Sequence, residues 1–313
     1  MSTGHDGSGD APRFRSYYER PVIKEPTWRV PDVPLYLFLG GTAGASATVA
    51  AVADLTGRPG LTRAGRLAAI GFATASVGAL IHDLGRPRRF LYMLRVLKPT
   101  SPLSVGSWIL APFSALAGAA AASDVTGLLP GAGRAAGLAA GAGGTAMCTY
   151  TAVLIADTAV PAWHEAYREL PFLFAGSAMA SAAGALLVAA PVAEQAPVRN
   201  LAAVGGAVEL AAARRVERGL GLVGEPYLSG RAGRLLRTGR ALTAAGVGLA
   251  AAGGLIGRRA RPAARVTGWV AGAALLAGGV CTRFGVYGAG VASARDPKYV
   301  VVPQRQRLSQ GMQ

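Results

Sequence analysis

The sequence predicts an all-α integral membrane protein with eight transmembrane helices, and three observations support this prediction. Of the 313 residues, 51% are hydrophobic, only 15% are charged, and the mean hydropathy is +0.36. Soluble domains usually carry about 25% charged residues. The apolar residues fall into long runs, and a helix needs about 20 of them to span a bilayer. The 44 glycines and abundant alanines favour the close helix contacts of a membrane bundle.

Eight apolar segments account for these helices in chain order. They cover residues 34–53, 67–81, 103–122, 135–156, 170–190, 198–213, 242–256 and 266–287. The sixth and seventh segments are short, and tilt or local thinning of the bilayer would accommodate them. The third, fourth, fifth and eighth segments are too uniformly apolar to present a wet face. A water-soluble array of alanine-rich helices is therefore not expected.

Lysine and arginine are distributed unevenly between the two sides of these helices. The side of the N-terminus carries 22 of them and the opposite side 9. The positive-inside rule then predicts a multi-pass protein of the cell membrane with both termini in the cytoplasm. The first ten residues lack the apolar core of a signal peptide, so we expect the first helix to begin insertion. Because the arginines of this +16 chain cluster between apolar runs, we expect a protein partner surface and no nucleic acid.

Histidine and cysteine are too scarce to predict a bound redox centre. Near the bundle there are only His82 and His164, both at the rim on the N-terminal side, whereas a transmembrane haem pair needs histidines facing each other at matching depths. Cys148 and Cys281 lie in apolar runs, and an iron–sulfur cluster needs four ligands. We therefore expect no haem, no iron–sulfur cluster and no metal in this chain.

The few polar residues near the spans gather on the N-terminal side. Asp32 and Tyr36 open the first helix, His82 ends the second, and His164 follows the fourth. Tyr150 lies about 10 Å inside the end of the fourth helix. A buried phenol near a histidine and a carboxylate could hydrogen-bond a quinone carbonyl and relay its proton. We therefore predict an apolar slot beside Tyr150, with these five residues around a quinone.

Structural explanations remain open for the same residues. Tyr36 could be an aromatic of the membrane interface, His82 could only cap its helix, and Tyr150 could only join two helices. Glu209 and Arg283 lie near the same side in the sixth and eighth helices. They are interpreted as either a proton path or a structural ion pair within the membrane.

Motifs along the chain give a further indication. They are Leu-Phe-Leu-Gly-Gly-Thr-Ala-Gly at 37–44, His-Asp-Leu-Gly-Arg-Pro-Arg-Arg-Phe at 82–90, Pro-Thr-Ser-Pro-Leu-Ser-Val-Gly-Ser-Trp at 99–108, Tyr-Thr-Ala-Val-Leu-Ile at 150–155, Pro-Ala-Trp at 161–163 and Ala-Arg-Asp-Pro-Lys-Tyr at 294–299. Together they resemble the NrfD/polysulfide-reductase membrane-anchor family of the actinobacterial type. The resemblance covers nearly the whole chain, from 17 to 307.

The resemblance implies an architecture and a function. It implies two four-helix bundles, at 34–165 and 166–290, between a basic tail at 1–33 and a C-terminal tail at 291–313. It implies a quinone-reactive subunit that exchanges electrons between menaquinol and a docked ferredoxin-like iron–sulfur subunit, with a molybdopterin catalytic subunit beyond. In the characterised polysulfide-reductase member, the positions around the quinone fall on Asp32, Tyr36 and Tyr150 of this chain. Tyr36 stands where that member has a histidine.

Two other classes of function stay open at this point. A transporter or channel often has broken helices and charged residues at the membrane midplane. Here the charges lie near one rim, which weakens that interpretation. A purely structural anchor that holds redox partners on the bilayer is the other alternative.

Overall fold

The computed structural model describes residues 22–86, 88–256 and 260–311, and eight long helices form its core. They are α1 (Asp32–Leu55), α2 (Pro59–Leu84), α3 (Pro102–Thr126), α4 (Pro130–Ala156), α5 (Leu170–Ala189), α6 (Ala196–Gly219), α7 (Gly230–Ile256) and α8 (Arg261–Arg295). Short helices at Arg88–Met93, Pro161–Glu165 and Glu225–Leu228 join them, and a helix at Lys298–Gly311 follows α8. The described residues contain no strand. The predicted all-α architecture is therefore confirmed.

The predicted count of eight transmembrane helices is not confirmed. Among the described residues, seven helices are long and apolar enough to cross a membrane, and α6 is not one of them. Its 24 residues include Arg199, Glu209 and a charged run at 214–218, which lower its hydropathy. α6 nevertheless packs against α5 and α7. The sixth predicted segment, 198–213, thus lies within a longer helix. That helix is too polar to be assigned as a span.

Proline and glycine set many of the helix ends. A proline lies in the first turn of α2 to α6 and of α8. Its missing N–H is no loss there, because first-turn amides have no partner within the helix. α2 and α3 end at Gly85 and Gly127, whose φ angles of 68° and 72° are left-handed. The helices extend beyond most of the predicted apolar segments because their first and last turns are polar.

The connections divide between two faces. We call "the first face" the described parts of 22–31, 85–101, 157–169, 220–229 and 296–311, and "the second face" residues 56–58, 127–129, 190–195 and 260. Ion pairs fix this arrangement: His82 at the end of α2 meets Asp32 at the start of α1, and Arg134 at the start of α4 meets Asp54 at the end of α1. The first face carries the long connections and the short helices.

α1 lies at the centre of the packing. It contacts α2 and α4 on one side and α5 and α8 on the other. At Gly44 of α1 an added Cβ would lie 2.5 Å from the carbonyl oxygen of Gly144 in α4, so only glycine permits this approach. The close contact sets the register between α1 and α4. The division into bundles at 34–165 and 166–290 stays a prediction.

Candidate functional site

Tyr36 of α1 and Tyr150 of α4 meet in the core, where their hydroxyl groups form a hydrogen bond. Their exposed fractions are only 4% and 8%. Tyr36 is therefore not an aromatic of the membrane interface, and that interpretation is wrong. The structure brings together the two phenols that the sequence singled out separately.

The hydroxyl pair keeps one hydrogen available for another group. Two phenol hydroxyls carry two hydrogens, and their mutual bond uses one of them. Within the described part of the chain, neither hydroxyl makes a second hydrogen bond. The pair can therefore donate to one further polar atom that reaches it, such as a carbonyl oxygen.

The surroundings of the pair are apolar and closely packed. An added Cβ at Gly106 of α3 would lie 2.6 Å from Cε2 of Tyr150, so the ring lies directly on the α3 backbone. Leu110, Phe113 and Met147 belong to the same buried cluster. The apolar slot beside Tyr150 stays a prediction.

A second polar pair lies between the phenols and the first face. Nδ1 of His82 is 2.8 Å from Oδ2 of Asp32. The His82 side chain is 74% exposed and that of Asp32 only 11%. Asp32 precedes Tyr36 by one helical turn, a rise of about 6 Å, so both lie on the same side of α1. From His82 to Tyr150, titratable groups therefore lead from the surface into the core.

His164 does not join this arrangement. Its Nδ1 lies 3.1 Å from the carbonyl oxygen of Ala156, at the end of α4. Among the described residues it makes no hydrogen bond to Tyr36 or Tyr150. The placement of His164 beside a quinone stays a prediction. Its neighbour Trp163 is completely buried and donates from Nε1 to the carbonyl of Val286 over 2.8 Å.

Arg283 of α8 bonds to the backbone of α1, next to Tyr36 in sequence, and to the backbone of α5. Its Nη2 donates to the carbonyl of Phe174 over 2.8 Å, and its Nε donates to the carbonyl of Leu37 over 3.3 Å. The guanidinium carbon lies 3.8 Å from the centre of the Phe174 ring, a cation–π contact. Leu37 follows Tyr36 directly in α1. A buried guanidinium is therefore held against the α1 backbone one residue after Tyr36.

Glu209 of α6 and Arg283 do not form a direct ion pair. Glu209 Oε1 accepts from the Thr282 hydroxyl over 2.7 Å, and Oε2 accepts from the Thr243 hydroxyl over 3.3 Å. Arg283 instead bonds to carbonyl oxygens, as described above. The two buried groups nevertheless interact electrostatically. Both interpretations, a proton path and a structural ion pair, stay predictions.

Metal ligands do not cluster in the part of the chain that the structure describes. No group of three histidine, cysteine, aspartate or glutamate side chains there could hold an ion. Cys148 is buried and Cys281 is half-buried, and both thiols are free. The expected absence of haem, iron–sulfur cluster and metal stays a prediction.

Comparisons with known proteins support the family prediction in the first part of the chain. Residues 24–121 match the family model described as Polysulphide reductase, NrfD. The match covers less than half of the chain, and it includes α1, α2 and most of α3. No curated protein matches the chain. The resemblance seen in the motifs at 37–44, 82–90 and 99–108 is thereby confirmed for the segment that contains them.

Proposed function

We propose that this chain is the quinone-reactive membrane subunit of an oxidoreductase complex. It passes electrons between menaquinol and a docked ferredoxin-like iron–sulfur subunit, with a molybdopterin catalytic subunit beyond. The observation that supports this most is the buried hydrogen bond between Tyr36 and Tyr150. The match of residues 24–121 to the polysulphide-reductase family supports the type of complex.

The surroundings of the phenol pair fit the chemistry of a quinone. A quinone has a flat apolar ring with a carbonyl oxygen at each end, so its site needs apolar walls and few hydrogen-bond donors. Leu110, Phe113 and Met147, which belong to the same buried cluster as the phenols, would supply the walls. The remaining hydroxyl hydrogen of the pair supplies a donor to one carbonyl oxygen.

Residues of the chain would handle the protons of the reaction. Bound menaquinol supplies electrons together with protons. Tyr150 and Tyr36 would relay a proton, each accepting one as it passes its own on, and Asp32 would receive it one helical turn closer to the first face. His82, which contacts Asp32, would pass it to water. The exposed His82 side chain is suited to this exchange.

Arg283 would contribute through its charge. A positive charge buried in a low-dielectric region acts over several ångströms with little screening. It would stabilise a negative charge on an oxygen beside Tyr36 more than a negative charge on an oxygen farther away. Because Nε and Nη2 are held by the carbonyls of Leu37 and Phe174, the position of this charge is fixed.

The first face offers a docking surface for an acidic partner. Exposed arginines at the end of α6 and the start of α7 cluster there, namely Arg214, Arg215, Arg218, Arg231, Arg234 and Arg237. Electron transfer needs the quinone near the first iron–sulfur cluster of the partner. The phenol pair lies nearer to the first face than to the second, so the docking face and the quinone site would coincide.

Replacement of the two tyrosines tests this proposal. Tyr36→Phe and Tyr150→Phe each remove one hydroxyl and little volume. The loss of a hydrogen bond to the substrate costs about 1–3 kcal/mol. In membranes that contain the assembled complex, we expect turnover with a reduced naphthoquinone to fall about tenfold or more. Assembly should be unchanged when measured by co-purification of the partner subunits.

A matched control separates the site from general effects of losing a buried phenol. Tyr227 is also buried, and its hydroxyl donates to the carbonyl of Ala162 over 2.8 Å. Tyr227→Phe should leave the turnover with the naphthoquinone near that of the unaltered chain. Equal turnover in Tyr36→Phe, Tyr150→Phe and Tyr227→Phe would contradict the proposal and favour a purely structural anchor.

A further inference from the structure

The carboxyl group of Glu209 is buried deep among α5, α6, α7 and α8. Only 1% of the residue is exposed. The helices approach closely here, since an added Cβ at Gly176 of α5 would lie 2.5 Å from the backbone nitrogen of Glu209. A buried ionised carboxylate needs a direct cation, or else it is accommodated by taking up a proton. Among the described residues no cation bonds to Glu209 directly, since Arg283 donates to backbone carbonyls and interacts with the carboxyl only from farther away.

The hydrogen-bond partners of Glu209 suit both protonation states. The hydroxyls of Thr282 and Thr243 donate to the two carboxylate oxygens. A hydroxyl can also rotate and accept a hydrogen bond, so it can receive the O–H of a protonated carboxyl. Arginine has no acceptor and would favour only the ionised state. The site is therefore built to gain and lose a proton without rearrangement of the helices.

A small cavity connects Glu209 toward the first face. Its lining includes Glu209, Thr282, Tyr227, Glu217 and Arg240, and its volume is about 10 Å³. That is close to the smallest volume that holds one water molecule. Glu217 lies two turns after Glu209 along α6, a rise of about 12 Å.

A partly exposed ion pair closes the outer end of this cavity. Glu217 forms a salt bridge with Arg240, and the two side chains are 18% and 25% exposed. The pair lies where α6 nears its end at Gly219, on the first face. The cavity between the two carboxyl groups is lined by these polar groups and by the aliphatic side chains of Leu173, Ala213, Val216 and Leu236.

We propose that Glu209 is a proton-exchange site, loaded from the first face through this cavity. A proton from water near the Glu217–Arg240 pair would reach the Glu209 carboxylate and form its carboxylic acid, and the reverse step would release it. No electron moves in this step. The charged and titratable groups facing the route are Glu217, Arg240 and Tyr227, with Arg283 beside Thr282. This site goes beyond the proposed quinone function and lies apart from the Asp32–His82 pair.

Carbodiimide labelling tests whether Glu209 takes up a proton. Dicyclohexylcarbodiimide enters apolar regions and reacts with protonated carboxyl groups. With the full chain in its membrane, we expect an adduct on Glu209 in peptide mass spectra, with a yield that falls as the pH rises. Glu209→Gln should lose this adduct. Glu194, which accepts from the backbone amides of Gly60 and Leu61 on the second face, should stay unlabelled. No adduct on Glu209 at any pH would overturn the proposal.

Infrared hydrogen–deuterium exchange tests the route. The carbonyl-stretch band of protonated Glu209, identified by its loss in Glu209→Gln, should shift after transfer to heavy water. Ala213→Leu adds volume to the lining of the cavity and should slow this shift about tenfold or more. Glu217→Gln, which keeps the volume, should also slow it. An unchanged exchange rate in both variants would overturn the route.

The outcome is separable from that of the quinone proposal. Tyr150→Phe should leave the carbodiimide labelling and the infrared exchange of Glu209 unchanged. Loss of the Glu209 adduct in Tyr150→Phe would contradict the separation of the two sites.

Discussion

The hydroxyl of Tyr36 hydrogen-bonds to the hydroxyl of Tyr150, although 114 residues separate them along the chain. The bond joins α1 to α4, and Arg283 of α8 bonds to the carbonyl of the residue after Tyr36. Two other helices, distant in sequence, thus make buried polar contacts with the first two turns of α1. The surroundings are otherwise apolar. A substitution of Tyr36 or Tyr150 should therefore alter the binding of a ligand that has an apolar ring and polar carbonyl groups before it alters the fold.

Gly106 is predicted to be essential for the position of the Tyr150 ring. A Cβ at this position would lie 2.6 Å from Cε2 of Tyr150, so Gly106→Ala should displace the ring. We expect turnover of the complex with a reduced naphthoquinone to fall at least severalfold. Gly118→Ala in the same helix is the matched control, because its Cβ would meet only Cδ1 of Ile70 at an ordinary 3.6 Å. Equal activity of both variants would show that the ring position does not matter.

The helix Lys298–Gly311 is predicted to detach from the first face at low pH. Nζ of Lys298 lies 2.9 Å from Oε2 of Glu225. The hydrogen bond from Lys298 lowers the pKa of the Glu225 carboxyl, and the same bond raises the pKa of Lys298. The contribution of Glu225 is therefore present above its ordinary pKa of about 4.3 and is lost as the pH falls through the lowered folded value. The contribution of Lys298 is present below about pH 10.4 and is lost only above its raised folded value.

Hydrogen exchange of residues 298–311 measures this detachment. After correction for the intrinsic pH dependence of exchange, we expect the backbone amides of this helix to be steadily protected from about pH 5 to pH 10. Below about pH 4 they should exchange faster. Lys298→Met should show the faster exchange already at neutral pH. Protection that is the same in Lys298→Met and in the unaltered chain across this range would rule out a role for the ion pair.

The orientation in the membrane is predicted to place the first face in the cytoplasm. Leu128 on the second face is 67% exposed, and Gln306 lies exposed on the first face. In a background without Cys148 and Cys281, Leu128→Cys should react with an impermeant maleimide on intact cells. Gln306→Cys should react only after permeabilisation. The opposite pattern would place the redox partners outside the cytoplasm.

The purified chain is predicted to carry no haem and no metal. His82 bonds to Asp32 and His164 lies beside the Ala156 carbonyl, so neither faces the other. We expect an absorption spectrum without a Soret band or iron–sulfur absorbance, and no metal by elemental analysis. A stoichiometric Soret band would revive a cytochrome interpretation of the helices.

Hydrophobic pattern was sufficient to predict most of the fold. The order and approximate extent of the eight long helices follow from apolar runs separated by proline and glycine. In a membrane every backbone N–H and C=O group must be hydrogen-bonded within the protein, and an apolar run achieves this by forming a helix. The assignment of α6 as a span could not be predicted reliably. Its apolar residues alternate with Arg199, Glu209 and Arg214, and an average over such a helix lies near the limit for membrane insertion.

The candidate site could be predicted residue by residue but not as a set of contacts. The rarity of polar residues near the spans identified Tyr36, Tyr150, Asp32 and His82. Which of them touch depends on the rotation and register of packed helices, which close contacts such as that of Gly44 decide. The partners of Arg283 are backbone carbonyls, and a sequence pattern carries no signal for them. His164 lies beside the carbonyl of Ala156 at the end of α4, and its place beside a quinone stays a prediction.

Photochemical labelling with an azido-naphthoquinone is the most direct test of whether a quinone binds at the Tyr36–Tyr150 pair. The reagent forms a covalent bond with residues beside the bound ring, and peptide mass spectrometry locates that bond in the full complex. We expect adducts in α1, α3 or α4 within a few residues of Tyr36, Gly106 or Tyr150, and competition by unlabelled menaquinone. Adducts confined to α5 to α8, or labelling that menaquinone does not reduce, would contradict a quinone site at the Tyr36–Tyr150 pair.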